Sequence, residues 1–177
     1  MFCQAFPAIE YVFGLLEIMN EMELGRNRYR TRDCLRTPKE FMKIWRELQI
    51  LNVNCMYNYA TIVVPANQWL FSIWCVYCIY GFIKLDGPFA FITFVAAVLI
   101  LTYLIVMFSV LAQVQLRSTQ VLNSWGSQRQ SLLFKKFLRS TRSIKIYIGS
   151  FYFVDHGMVL NMLKFISEST VNLIVVN

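Results

Sequence analysis

Two long apolar runs occupy the middle of the chain. Residues 61–83 contain no charged side chain and are interrupted by Pro65, Asn67 and Gln68, and residues 89–113 contain no charged side chain either. Each run exceeds the roughly 20 residues that a helix needs to cross a 30 Å hydrocarbon core. The pattern predicts two transmembrane helices. The alternative for such a run is a very apolar helix buried inside a soluble domain.

An amphipathic helix is predicted directly before the first run. Thr37 has the features of an N-cap, with Pro38 at the first helical position and Glu40 at the third, as in a capping box. Apolar residues then recur every three or four positions and define one face: Phe41, Ile44, Trp45, Leu48, Leu51 and, one turn further on, Cys55. We expect this helix to continue into the first membrane helix, with Pro65 kinking it near the join.

The helix of the second run is predicted to extend beyond the membrane. Residues 113–123 continue without Pro or Gly, so the expected end of the helix is Gly126. Residues 127–139 then predict a basic helix. Its apolar side comprises Leu132, Leu133, Phe134, Phe137 and Leu138.

A short extended segment and a last helix complete the pattern. Isoleucine alternates with other residues over 144–148, and Gly149 and Ser150 end the alternation, which predicts a small strand or hairpin. Residues 158–176 return to helical spacing, and Asp155 is the expected N-cap.

The last helix carries a polar stripe. Asn161, Lys164, Glu168 and Asn172 fall within about 80° of one another at 100° per residue, and Lys164 and Glu168 can pair along the helix. One interpretation is a pore-lining or subunit-facing helix whose stripe meets water, and the other is a helix partly outside the bilayer with a solvated face. The apolar residues expected to supply a constriction are Met162, Leu173 and Val176.

Charge and composition favour a membrane protein. The chain is 57% hydrophobic with a mean hydropathy of +0.49, more than a soluble domain of 177 residues carries. Its net charge of +7 is concentrated beside the apolar runs: eight Lys or Arg lie in 26–46 and seven in 117–145, whereas the loop 84–88 has one base and one acid. Both basic flanks are therefore expected in the cytoplasm, and anionic lipid explains the charge without nucleic acid.

The first 24 residues leave two alternatives open. They are rich in apolar residues but include Glu10, Glu17, Glu21 and Glu23, the reverse of the charge pattern of a secretory signal. The segment is either an amphipathic helix or the inner end of an earlier membrane helix.

The chemistry of the side chains does not indicate an enzyme. The chain has five cysteines, an odd number that does not suit a disulfide framework. Cys75 and Cys78 form a single CxxC motif within an apolar run, with no second motif to complete a metal site. The one histidine, His156, adjoins Asp155, where turn formation and capping are the expected roles. Phosphate-binding loops and zinc-hydrolase motifs do not occur, so we expect no catalytic residue, no metal and no cofactor.

Two segments resemble the arthropod chemosensory receptor superfamily, the odorant and gustatory receptors. Residues 137–153 combine a basic helix end with Arg139, Arg142 and Lys145, an isoleucine alternation, and then Gly149 followed by aromatic residues, similar to the segment leading into the last membrane helix of those receptors. Residues 45–49, with the sequence WRELQ, are similar to the approach to their fifth helix. Thr170 matches the terminal motif of the gustatory branch, but Val171 and Asn177 replace its Tyr and Gln, so the resemblance does not select a branch.

The resemblance implies an all-α integral membrane protein with about three transmembrane helices, the last three of a seven-helix receptor, and long cytoplasmic helix extensions. On that mapping residues 61–83 are the fifth helix, 89–123 the sixth, 131–144 the cytoplasmic part of the seventh and 158–176 its membrane part. The implied function is a ligand-gated, non-selective cation channel in the cell membrane, homo- or heterotetrameric, opened by a small molecule. The implied subunit anchor comprises Trp45, Leu48, Phe134, Phe137, Arg139 and Arg142.

The chain is thus expected to have three segments. Residues 1–60 form cytoplasmic or membrane-proximal helices, and residues 61–123 form a transmembrane helical hairpin with a cytoplasmic extension. Residues 124–177 form the cytoplasmic basic helix, a short extended link and the C-terminal pore-type helix. The chain would then be a truncated or partial receptor, or a functional short protein. The alternative is a small helical membrane protein with a structural or assembly role and no conduction.

Overall fold

The structure, a computed structural model, describes residues 2–25, 28–59, 62–127, 131–148 and 152–176. Apart from one 3₁₀ turn at Asp33–Arg36 and a two-stranded hairpin, these residues form an all-α fold, as predicted. The helices are α1 (Phe2–Met22), α2 (Pro38–Tyr59), α3 (Val63–Lys84), α4 (Pro88–Gly126), α5 (Leu132–Ser140) and α6 (His156–Val176), and the strands are β1 (Tyr147–Ile148) and β2 (Tyr152–Phe153).

The predicted helical hairpin is formed by α3 and α4. The connection is three residues long and ends at Gly87, whose φ of 71° lies in the left-handed region that favours glycine. The two helices approach closely at Gly81, where an added Cβ would lie 3.3 Å from the Thr93 methyl group. Further along, the Phe82 and Phe94 rings pack with centroids 5.0 Å apart.

One uninterrupted helix, α4, forms the axis of the molecule. Its 39 residues end at Gly126, as the sequence predicted, and span about 58 Å at 1.5 Å per residue. This is nearly twice the roughly 30 Å of a hydrocarbon core. The half of α4 nearer Gly87 packs on α3 and α6, and the half nearer Gly126 packs on α1 and α5.

An aromatic cluster closes the far end of α4. The rings of Phe41 and Trp125 lie 4.4 Å apart, and Phe134 from α5 packs within 5.7 Å of Phe41 and 5.5 Å of Trp125. The indole N–H of Trp125 donates to the Met22 carbonyl at 2.9 Å, which ties the end of α1 to the same point. Three helices and the end of α1 therefore share one buried core here.

The predicted face of α2 is correct at its start and wrong at Leu51. Trp45 and Leu48 are buried, but Leu51 is 48% exposed and Asn52 takes the inner position. Asn52 can lie inside because the Tyr11 hydroxyl donates to its Oδ1 at 3.3 Å and its Nδ2 donates to the Lys145 carbonyl at 3.2 Å.

The expectation of one helix running from α2 into the membrane is also wrong. Helix α2 ends at Tyr59 and α3 starts at Val63, while residues 60 and 61 lie outside the described residues. Pro65 is in the first turn of α3, where backbone N–H groups have no intrahelical partner. It therefore suits the start of a helix and does not kink one.

The basic helix is shorter than predicted. Residues 128–130 are outside the described residues, and α5 begins at Leu132 because the Ser131 hydroxyl caps it by accepting from the Phe134 N–H at 3.4 Å. Leu132 and Leu133 were expected on the apolar side, yet they are 80% and 79% exposed. From residue 141 the chain is not helical, which also corrects the mapping of 131–144 as a helix.

The predicted hairpin and helix cap are confirmed. Strands β1 and β2 pair antiparallel, and the isoleucines of the alternation, Ile144, Ile146 and Ile148, are all buried. The Asp155 Oδ1 accepts from the Met158 N–H at 2.9 Å, so Asp155 is the N-cap of α6. The residues between the strands, 149–151, lie outside the described residues.

Two helices are long and apolar enough to cross a membrane, namely α4 and the Gly157–Val176 part of α6. In each, 17% of the most apolar window is buried within the protein, so most of this apolar surface faces outward, unlike the core helix of a soluble domain. This indicates membrane association. Helix α3 is long enough but less apolar than these two. Its mean hydropathy is lowered by Pro65, Asn67 and Gln68 and by its Trp and Tyr residues.

Candidate functional site

The polar stripe of α6 lies on the outside of the molecule. Asn161, Lys164, Glu168 and Asn172 are all exposed. The Lys164 Nζ and Glu168 Oε1 atoms are 3.7 Å apart, one helical turn from each other. The stripe is thus an outward polar face about 17 Å long, which is the rise over the 11 steps from Asn161 to Asn172 at 1.5 Å each.

The opposite side of α6 is buried against the helical hairpin of α3 and α4. Residues at every fourth position, Met158, Met162, Ile166 and Thr170, face inward. The Thr170 hydroxyl donates to the Ile166 carbonyl at 2.8 Å, so this polar group is satisfied within the helix. The Phe165 ring meets the Trp69 ring edge-on, with centroids 5.5 Å apart, which joins α6 to α3.

The residues expected to supply a constriction do not share one location. Met162 is buried on the side that faces the hairpin, Leu173 is half-buried, and Val176 is 81% exposed near the end of α6. Within one copy the structure therefore brings Val176 to the outer side of α6 and keeps Met162 away from the polar stripe.

A cavity of 540 Å³ lies beside the start of α6, between α3 and β2. Asn161 and Met162 border it, together with residues that the sequence did not single out as a site: Gln68, Trp69, Ser72, Phe153, Asp155, Met158 and Phe165. The Gln68 amide, placed within an apolar run, is the signal in the sequence that could have pointed to this cavity. Finding the cavity itself requires knowing how α3 and α6 pack.

The predicted anchor residues divide into two groups. Trp45, Leu48 and Phe134 are buried in the core of this copy, whereas Arg139 and Arg142 are exposed. The sixth residue, Phe137, is half-buried, and the Arg46 guanidinium lies 5.6 Å from its ring centroid. The buried group holds α2, α4 and α5 together, and the exposed group is the part available to another molecule.

The two basic segments meet at the end of the molecule away from Gly87. The Arg46 guanidinium lies over the Phe137 ring, and the Phe41 and Phe134 rings are 5.7 Å apart. Next to them, Arg117 reaches Glu23 at 3.8 Å. The Thr31 hydroxyl donates to the Glu21 carboxylate at 2.8 Å, and the backbone N–H groups of Thr31 and Arg30 also donate to it. These hydrogen bonds hold the pKa of Glu21 below its usual range.

The thiols of Cys75 and Cys78 lie apart from the polar stripe of α6 and do not line the 540 Å³ cavity. Cys75 is buried where α3 meets α4, with its sulfur 3.9 Å from the Ala97 carbonyl, and Cys78 is half-buried. Among the residues that the structure describes, no three His, Cys, Asp or Glu side chains come together as metal ligands would.

No protein-family model, no curated protein and no solved structure matches this chain. The proposal below therefore depends on the sequence pattern and the geometry of the described residues.

Proposed function

We propose that the chain is a multi-pass protein of the cell membrane and a subunit of a ligand-gated, non-selective cation channel of the chemosensory receptor type, with α6 lining the pore. The observation that carries the proposal is the outward stripe of amides and charges on an otherwise apolar helix long enough to span a bilayer. Such a stripe requires water or a partner at membrane depth.

Energetics favour a wet stripe over one that faces lipid. A single Lys or Glu at the centre of a membrane helix costs about 2.5–3.5 kcal/mol on insertion scales. Pairing Lys164 with Glu168 recovers part of that cost. The amides of Asn161 and Asn172 would still require hydrogen-bond partners in hydrocarbon. Several copies arranged with α6 toward a common axis would place all four side chains against water.

Helix α3 completes a bundle of three spanning helices in this proposal. Its 22 residues extend about 33 Å, enough to cross the hydrocarbon core, and it packs along α4 and α6. Its exposed aromatic side chains suit lipid interfaces and contacts with neighbouring helices. They include Trp69, Trp74, Tyr77 and Phe82.

The orientation follows from charge. The end of the molecule that carries Arg117, Arg139 and Arg142 is cytoplasmic, Gly87 is outside, and α6 runs outward. A glycosylation acceptor appended after residue 177 is then expected to be modified in cells. An unmodified acceptor would place the end of α6 in the cytoplasm and remove the third span.

The pore assignment is tested with a chimera of a chemosensory receptor channel that carries residues 157–176 as its last helix. Glu168→Lys reverses a charge on the stripe. We expect the permeability of the chimera to one cation relative to another to fall about tenfold, because a change of roughly 1.4 kcal/mol along the ion path corresponds to a factor of ten. Reversal potentials under bi-ionic conditions measure it.

A matched pair of charge reversals is made in the full chain, co-expressed with the same channel. Glu168→Lys should change cation permeability, whereas Glu47→Lys should leave it unchanged, since Glu47 is an exposed acid of α2 on the cytoplasmic side in this proposal. Current that persists in the chimera with the same selectivity after Glu168→Lys would contradict a pore-lining stripe.

One observation favours the alternative of a structural membrane protein. The charges of Lys164 and Glu168 already neutralise each other within one helix, so the stripe could contact a partner helix without water. In that case the chimera would assemble and carry no current, whereas the chain would still co-purify with its partner.

A further inference from the structure

We propose that a cavity at the junction of α1, α2, α3 and α4 binds one acyl chain of a phospholipid from the inner membrane leaflet. The cavity measures 340 Å³ and is open on one side. It is separate from the cavity beside α6. The proposal rests on the orientation proposed above, in which α4 spans a bilayer with its Gly126 end in the cytoplasm, and does not require that the protein conducts ions.

The wall of the cavity is apolar even where the residues are polar. Tyr11, Asn67 and Thr102 all line it, yet almost none of the surface that faces the cavity is formed by polar atoms. The Tyr11 hydroxyl is bonded to Asn52, and the Thr102 hydroxyl donates to the Val98 carbonyl at 2.8 Å. The remaining wall is mainly side-chain hydrocarbon, as at Val64, Met107 and Val110. Water that entered would find almost no hydrogen-bond partners, so the cavity favours a hydrocarbon occupant.

The depth of the cavity selects a lipid of the inner leaflet. Its α4 residues run from Thr102 to Leu111, which are 14 and 23 positions after Pro88. At 1.5 Å per residue this is about 21–35 Å from the outer end of α4, or the inner third of a roughly 30 Å hydrocarbon core and its boundary.

The opening of the cavity is compatible with lateral access from the bilayer. Phe13 and Val106 line the cavity and are 53% and 56% exposed, so apolar side chains flank its mouth. The volume lies within the range of about 300–1,000 Å³ that ligand pockets occupy. On the inner side, the basic cytoplasmic segments attract the anionic headgroups whose chains would be drawn in.

Photolabelling of the full chain tests the proposal. The protein is reconstituted in nanodiscs of phosphatidylcholine and phosphatidylserine with a phosphatidylcholine that bears a diazirine in the middle of one acyl chain. After illumination, labelled residues are mapped by peptide mass spectrometry. We expect labelling at Met107 and Val110 to saturate at a low fraction of the photolipid, while labelling at the exposed Leu99 rises in proportion to it.

Matched variants locate the site. Val110→Trp should reduce labelling of Met107 about tenfold, because the indole excludes two or more methylene groups of the chain. Val98→Trp, on the exposed side of the same helix and outside the cavity, should leave it unchanged.

Two results would overturn the proposal: labelling in the cavity that never saturates, or saturable labelling that Val110→Trp does not change while circular dichroism shows native helix content. If Val110→Trp does not fold, the saturation measurement on the unmodified chain decides alone. Neither measurement depends on current, so failure here is distinguishable from failure of the channel proposal.

Discussion

At the scale of single residues, one buried hydroxyl holds the extended link against the long helix. Ser118 is fully buried, and the Ile144 N–H donates to its Oγ at 2.6 Å. The flanking isoleucines leave this backbone group no route to water, so its hydrogen bond depends on a single side chain.

We expect Ser118→Ala to destabilise the protein by about 1–3 kcal/mol, because it leaves a buried N–H without a partner. The melting temperature of the purified chain, followed by size-exclusion fluorescence, measures the loss. Thr119→Ala is the control, since this neighbour is exposed and its hydroxyl bonds only the Gln115 carbonyl of its own helix. Equal melting temperatures for the two variants would show that the Ser118 hydrogen bond contributes little.

Residues whose roles are local could be predicted, and those that depend on distant partners could not. Asp155 and Thr37 each cap a helix by accepting from the backbone N–H three residues ahead. Sequence rules for helix starts cover that spacing. Asn52 was missed because its partners are 41 and 93 positions away. A polar residue at an inner position looks unfavourable until those partners are known, and the periodicity therefore favoured Leu51.

At the scale of elements, the turn between α3 and α4 sets the geometry of the hairpin. Gly87 has φ 71° and ψ −148°, a combination that only glycine adopts without strain. The turn has three residues, so little slack is available to relieve a strained position.

Gly87→Ala is expected to cost about 1–3 kcal/mol of stability through backbone strain. Gly126→Ala is the matched control, because an added Cβ there meets nothing within 4 Å and the helical conformation suits alanine. Thermal melts of both variants in the same detergent compare them. A Gly87→Ala protein as stable as the Gly126→Ala protein would mean that the turn relaxes to another conformation.

The lengths of elements were predicted best where a pattern is long. The extent of α4 to Gly126 follows from an uninterrupted apolar and then amphipathic run. The start of α5 and the break between α2 and α3 were missed because single residues decide them: Ser131 caps one helix, and Pro65 sits in the first turn of another. Periodicity averages over a window and cannot resolve such positions.

At the scale of the whole molecule, the end away from Gly87 carries a pair of exposed leucines. Leu132 and Leu133 are exposed beside Lys135, Lys136 and Arg139 at the far end of α4, and large apolar side chains exposed side by side are typical of interaction sites.

We expect the double change Leu132→Glu and Leu133→Glu to weaken assembly about tenfold, because burying two leucines on association is worth at least about 1.4 kcal/mol. Multi-angle light scattering of the detergent-solubilised protein measures the mass. The monomer should keep its melting temperature, since both side chains are outside its core. Unchanged mass over a dilution series would show that subunits do not meet at these residues.

The sequence predicted that the two basic segments share one side of a membrane, but it did not predict their contacts or the packing that creates the cavities. The positive-inside rule leads to this expectation for residues 26–46 and 117–145 from charge alone. The 340 Å³ cavity instead depends on four helices and on Ile146, whose relative positions no single pattern encodes. Sequence reasoning thus reached the order of the helices and the polar stripe of α6, and packing supplied the rest.

The length of α4 gives the molecule a mechanical property. A rod of about 58 Å is fixed near one end by the close contact at Gly81 and at the other by the hydrogen bond from Trp125. A tilt of about 5° about one end displaces the other by about 5 Å, close to one turn of a neighbouring helix. Helix α4 can therefore act as a lever: if the contact at one end shifts, a small change of angle about the contact at the other end moves the freed end by about 5 Å.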